Sequence, residues 1–265
     1  MSAGCSKAKE PTIDLGPAVG ALSQATPSAS SDFNPRLLRR FKPLRASLAD
    51  VATPIGPEVD LGRMLYFDKR LSKTGTQSCN SCHPLAQYGA DQQQTSPGHD
   101  GTRGTRNSPT VYNAAGSFVQ FWDGRATNVE EQAKGPLLNP VEMGMTDAAQ
   151  VERTLEAIDG YAAEFRKAFP KDKRPITYDN VARAIGAFER GLVTPSRWDS
   201  YLSGNTSALS KAEVEGLRVF TNVGCMVCHT GEFVGGSMFE KVGAVEPWTN
   251  QKDPGRFAVT HLEGD

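Results

Sequence analysis

Two copies of one five-residue pattern constrain this sequence more than any other feature: Cys79-Asn80-Ser81-Cys82-His83 and Cys225-Met226-Val227-Cys228-His229. Two thiols three positions apart can form thioethers to the two vinyl groups of one haem, and the adjacent histidine then becomes an iron ligand. A zinc site would use the four thiols but would leave unexplained why each pair is followed at once by histidine. A thioredoxin-like motif needs a surrounding βαβ pattern, which this sequence lacks. The motifs therefore predict two covalently bound haem c groups, one at Cys79, Cys82 and His83 and one at Cys225, Cys228 and His229.

The rest of the composition fits that reading. Only 38% of the 265 residues are hydrophobic, while 26 are glycine and 17 proline, so internal staples such as haem would help to close a core. With 29 basic and 30 acidic residues, the charge gives no argument for nucleic acid or an anionic membrane. Haem attachment of this kind is completed outside the bacterial cytoplasm, so the expected location is the periplasm. No stretch reaches the roughly 18 apolar residues of a membrane span. The first residues lack the apolar centre of a signal peptide, and Met1 is read either as an introduced start or as the edge of a trimmed leader. Ser2-Ala3-Gly4-Cys5 resembles a lipoprotein cleavage site with Cys5 as a lipid anchor, although Ser2 stands where an apolar residue is usual. The other reading of Cys5 is a free thiol in a polar tail.

Periodicity predicts a mostly α chain with long ordered loops. Residues 1–32 read as a disordered linker. Apolar residues at helical spacing predict helices over 58–67, 148–158, 161–169 and 178–192. Ser210 and Glu213 form a capping box that opens a further helix running into the second motif. Residues 72–109 are loop-like and hold the first motif. An amphipathic helix precedes each motif, and Thr194-Pro195-Ser196 is a natural boundary. The predicted domains are 33–193 and 194–265. Of the four histidines, His99 lies in a Gly/Pro-flanked loop from which it could reach an iron or face solvent, and His261 reads as a solvated residue.

The segments RMLYFDKRLSKTGTQSCNSCH, TSPGH, RNSPTVYNA, FWDGRA, EEQAKGP, PVEM and GLRVFTNVGCMVCHTG follow one another at the spacings of bacterial di-haem cytochrome c peroxidases, and the resemblance covers roughly residues 41–259. It implies two cytochrome c-like haem domains, a peroxidatic haem in the first and an electron-transfer haem in the second. By motif position His83 is the proximal ligand of the first haem. His99 is its distal ligand, released on reduction to admit hydrogen peroxide. Glu142 is the acid-base residue and Gln132 lines the same pocket. Trp122 is an electron bridge, Arg125 an ion-pair or propionate partner, and Asn107 a calcium ligand. The implied partners are hydrogen peroxide and a small electron donor, a c-type cytochrome or cupredoxin. A homodimer is the family's common form.

The sequence stops at Asp265, before the segment where the family supplies the methionine ligand of the second haem and the remaining calcium ligands. A truncated chain is therefore expected, since neither Met226 nor Met238 is a convincing replacement. Two other activities stay open: a di-haem oxidase acting on a partner protein, and a non-catalytic di-haem electron carrier.

Overall fold

The computed structural model describes residues 35–44, 56–244, 246–247 and 253–263, so Cys5 and the 1–32 linker lie outside the described residues. Among the described residues nine α-helices run in chain order: α1 (Pro57–Phe67), α2 (Cys79–Cys82), α3 (Val129–Leu138), α4 (Ala148–Glu156), α5 (Tyr161–Ala168), α6 (Tyr178–Glu189), α7 (Arg197–Leu202), α8 (Lys211–Asn222) and α9 (Phe257–Thr260). Among the described residues there are no strands, only three isolated bridges. The chain is mostly α with long loops, as its periodicity predicts. None of its described helices is long and apolar enough to cross a membrane.

Helix ends follow local chemistry. Pro57 opens α1, where a missing N–H removes no helical bond. Thr177 caps α6 by accepting from the Asn180 N–H, and Ser210 and Glu213 cap α8 reciprocally, as predicted. Helix α3 is not among the predicted helices, and Gly135-Pro136 lies inside it. Asn128 starts it by accepting from the Glu131 N–H, and burial of Ala133 and Leu137 carries the helix past the proline.

The core lies between α1, α3, α4, α5 and α6, with Leu61, Leu65, Leu137, Leu155, Phe165 and Ile185 at or near zero exposure. Helix α6 is its centre. Val181, Ile185 and Phe188 point inward as the periodicity predicts, and small residues on its other sides let neighbours approach. Gly62 of α1 lies so close to α6 that a Cβ there would sit 1.8 Å from the Ala184 carbonyl oxygen.

Residues beyond 190 are built differently. Only Asp199 and Met226 are buried there among the described residues, and α8 buries none of its side chains. Residues 35–44 lie against this half: Phe41 bridges Gly231, packs edge-on against Trp198 at 5.2 Å, and Leu44 N–H donates to Asp199 at 2.6 Å.

Gly62→Ala should lower stability by about 1–3 kcal/mol, because overpacking at the crossing outweighs the roughly 1 kcal/mol gain in helix propensity. Urea denaturation measures this, and an unchanged or raised midpoint would contradict so close a crossing.

Candidate functional site

The first motif forms a single helical turn. Ser78 and Ser81 close a capping box, and the His83 N–H donates to the Cys79 carbonyl at 2.9 Å. Residues three and four apart share a helical face, so both thiols and the histidine belong to one side of the turn. His83 Nδ1 lies 2.9 Å from the Pro109 carbonyl oxygen. A carbonyl can only accept, so Nδ1 carries the proton and Nε2 keeps the lone pair that binds a metal. Burial pushes the imidazole below its ordinary value, although the Pro109 carbonyl works in the opposite direction. Tyr66, fully buried on α1, fixes the same residue by donating to the His83 carbonyl at 2.6 Å. Burial also pushes the Cys79 thiol up to about 12 and raises that of Cys82.

Cys79, Cys82 and His83 line an open-sided cavity of about 200 Å³ together with Asn107, Trp122, Gln132 and Glu142. The resemblance therefore assigns roles to side chains that the fold does bring together. Trp122 is 59% exposed and lines this cavity and a second one, with its indole N–H donating to the Asn107 carbonyl at 3.0 Å. Beside it, buried Asp123 accepts from Arg106 at 2.7 Å and from Arg125 at 2.9 Å. Arg125 also lies over the Phe121 ring at 3.4 Å, and it lines the cavity. Arg106 continues the network with two bonds of 2.6 Å to Asp253, and Arg256 donates to the Asp123 carbonyl at 2.7 Å. This network ties the stretch 253–256 to the loop that carries Trp122.

Glu142 is placed by a turn that folds back on α3. The Met143 N–H donates to the Pro136 carbonyl at 3.2 Å and the Met145 N–H to the Leu137 carbonyl at 2.9 Å. Asn139 organises the turn: its side-chain oxygen accepts from the Val141 N–H, and its amide donates to Glu142 Oε1 at 2.7 Å. Burial raises the Glu142 carboxyl above its ordinary value, and Asn139 and Arg125 oppose that rise. Sequence reasoning missed Asn139, although Asn-Pro is a turn-opening pair.

His99 is joined to the Glu142 turn through its backbone. Its N–H donates to the Glu142 carbonyl at 2.7 Å, and its own carbonyl accepts from Thr74 and Thr76. The ring is not among the groups lining the cavity. It rests instead on Gly144, where a Cβ would come within 2.4 Å of it, and its buried Nδ1 has no hydrogen-bond partner among the described residues.

The second motif repeats the chemistry on an open surface. The His229 N–H donates to the Cys225 carbonyl at 3.0 Å, and Nδ1 lies 2.9 Å from the Val234 carbonyl, which leaves Nε2 available as before. Cys228 and His229 are exposed and Val227 is 74% exposed, whereas Met226 is buried and Met238 exposed. Phe233 and Val234, just past this motif, line the second cavity with Trp122, Phe121 and Trp198. The Trp198 indole N–H is buried and without a partner among the described residues.

These donor sets fit haem. Each motif offers two free thiols and an imidazole locked in the metal-binding tautomer, and the first faces the cavity it shares with Gln132 and Glu142. No group of three or more His, Cys, Asp or Glu side chains able to hold a metal ion occurs among the described residues.

The sequence profile of the family described as Di-haem cytochrome c peroxidase matches residues 57–207. Cytochrome c551 peroxidase of Pseudomonas aeruginosa is 44% identical over 92% of this chain and 72% of its own length. Cytochrome c551 peroxidase of Nitrosomonas europaea is 44% identical over 78% of this chain and 61% of its own. A solved structure, a MauG-like protein associated with microbial copper homeostasis, superposes with a TM-score of 0.67 at 28% identity. That superposition covers 84% of this chain and 69% of the other.

The Arg106 network makes a prediction about acid. Arg106 holds the Asp253 carboxyl at about 2, below its ordinary 3.8. Burial alone would raise Asp123, but Arg106 and Arg125 outweigh it and keep that carboxyl low too. Groups with depressed values stabilise the fold fully above about pH 4 and lose that contribution as pH falls toward 2. Tryptophan fluorescence should therefore show an acid step between about pH 4 and 2 that Arg106→Gln removes. Identical acid profiles in both proteins would contradict the network.

Proposed function

Because the chain belongs to the di-haem cytochrome c peroxidase family, we propose that it reduces hydrogen peroxide to water with electrons from a small periplasmic donor, a c-type cytochrome or a cupredoxin. The overall reaction takes one peroxide, two electrons and two protons to two waters. Bound haem at Cys79, Cys82 and His83, and at Cys225, Cys228 and His229, supplies the iron and the redox equivalents.

The observation that carries this reading is that Glu142, Gln132 and Trp122 share one cavity with the first motif. Peroxide cleavage requires a group that takes a proton from one oxygen and returns it to the other. Glu142 suits that task, since burial favours its protonated form and Asn139 fixes one of its oxygens. Gln132 offers an amide that can orient peroxide through a donor and an acceptor. Trp122 fronts both cavities and is proposed as the bridge for electrons between the two halves. Asn107 is proposed as one ligand of a calcium ion, an oxygen donor of the kind that ion prefers. A periplasmic location, a lipid anchor at Cys5 and a homodimer belong to the same proposal.

In this reading His99 is the removable ligand, and its place on Gly144 corresponds to the released position. A second reading is favoured by the same observation. An oxidase acting on a partner protein needs no such ligand, and the His99 ring rests on Gly144 with its Nδ1 unpartnered among the described residues. Pre-reduction separates the two, because only a gated peroxidase depends on it.

Glu142→Gln should reduce peroxide turnover by about 10²–10⁴-fold while leaving the haem absorption spectrum nearly unchanged. Steady-state oxidation of a reduced cytochrome measures it, and retained turnover would remove Glu142 from its role.

A further inference from the structure

Residues 35–44 carry four cations, Arg36, Arg39, Arg40 and Lys42, and no acid. All four side chains are exposed. The backbone holds them beside the second motif. The Lys42 N–H donates to the Gly231 carbonyl at 3.3 Å and the Gly231 N–H to the Arg40 carbonyl at 2.8 Å, two residues past His229. Phe41, between the two, is buried edge-on against Trp198, and the Leu44 N–H is tied to Asp199. The acids on α7 and α8 are engaged by other groups: Asp199 accepts from Leu44 and Ser196, Glu213 pairs with Arg197, and Glu215 pairs with Arg218. Glu232, next to Gly231, is one acid against four cations. Among the described residues no ion pair engages Arg39, Arg40 or Lys42. Val223 and Val227, on either side of Cys225, are exposed as well.

We propose that this basic strip is the docking surface for an electron donor with an acidic face, a small redox protein that seats beside the second motif. The inference rests on the proposed function, in which the second haem is the electron-transfer one. Cations fixed around an entry point raise the association rate of a partner of opposite sign and orient it, and salt weakens the effect. The exposed valines offer apolar contact on the small scale of transient redox complexes. An anionic membrane could meet the same charge, but segments that lie on membranes turn their apolar residues outward, and Phe41 is turned inward. In the docked complex one electron leaves the donor, which is oxidised. The ferric haem proposed on the second motif becomes ferrous, and no covalent bond forms or breaks.

Stopped-flow reduction of the haem-loaded protein by a reduced c-type cytochrome, with no peroxide present, tests this with one acidic-faced and one basic-faced cytochrome. The acidic-faced cytochrome should be the faster donor, and its rate constant should fall by about 10-fold or more as salt is raised. Arg39→Gln/Arg40→Gln/Lys42→Gln should slow it by about 10-fold at low salt and flatten the salt dependence, while Arg39→Lys/Arg40→Lys should keep wild-type behaviour. Calorimetric binding of the oxidised acidic-faced cytochrome, which needs no electron transfer, should weaken in parallel. An unchanged rate and salt slope in the triple variant overturns the inference, and so does a faster basic-faced donor or the absence of salt-sensitive binding. Vesicles of phosphatidylglycerol and phosphatidylcholine that bind the wild type but not the triple variant, with donor kinetics unchanged, would assign the strip to a membrane and overturn it too. The predicted pattern of electron entry without any reduction of added peroxide would uphold the docking surface and overturn the proposed function alone.

Discussion

The crossing of α1 over α6 at Gly62 positions both sides of the first cavity. Absence of a side chain at Gly62 brings α1 against the Ala184 carbonyl, and both helices then deliver groups to the same place. From α1, Tyr66 reaches the carbonyl of His83 and fixes the end of the haem-attachment turn. From α6, Ile185 and Glu189 form part of the wall. Helix α3 packs on the same core and presents Gln132, and the turn that follows it presents Glu142. The side chains proposed to act in the first cavity therefore depend on a packed helical core.

The two haem-attachment motifs share local geometry but not surroundings. In each, the histidine N–H closes the turn onto the first cysteine and a backbone carbonyl fixes the ring tautomer. The first motif faces a cavity walled by a carboxylic acid, an amide and an indole. The second lies on a surface whose helix, α8, buries nothing. The proposed chemistry at the first motif and electron entry at the second accord with that difference, and Trp122 lines both cavities. The network through Arg106, Asp123 and Asp253 holds the Trp122 loop to the stretch 253–256, so the proposed bridge is anchored there.

Much of the site was legible from the sequence, because haem attachment demands a contiguous pattern and the peroxidase motifs carry their residues in short runs. Helices α1, α4, α5, α6 and α8 were legible too, since each has a strong apolar period or a capping pair. Helix α3 was hidden by Gly135-Pro136, whose local preference was overridden by burial of Ala133 and Leu137. Asn139 and Glu189 were not legible as site residues. Asn139 acts through two hydrogen bonds that exist only in the folded turn. Glu189 lies at the end of an amphipathic helix, where its burial depends on α1 and α3 arriving from distant parts of the chain. The position of His99 on Gly144 likewise depends on two loops meeting.

Central to this account is peroxide reduction in the first cavity under control of a gate. Stopped-flow oxidation of a reduced c-type cytochrome by hydrogen peroxide, with and without pre-reduction of the protein, tests it most directly. The account predicts rapid peroxide-dependent oxidation after pre-reduction and little without it. No peroxide-dependent oxidation in either case would contradict it.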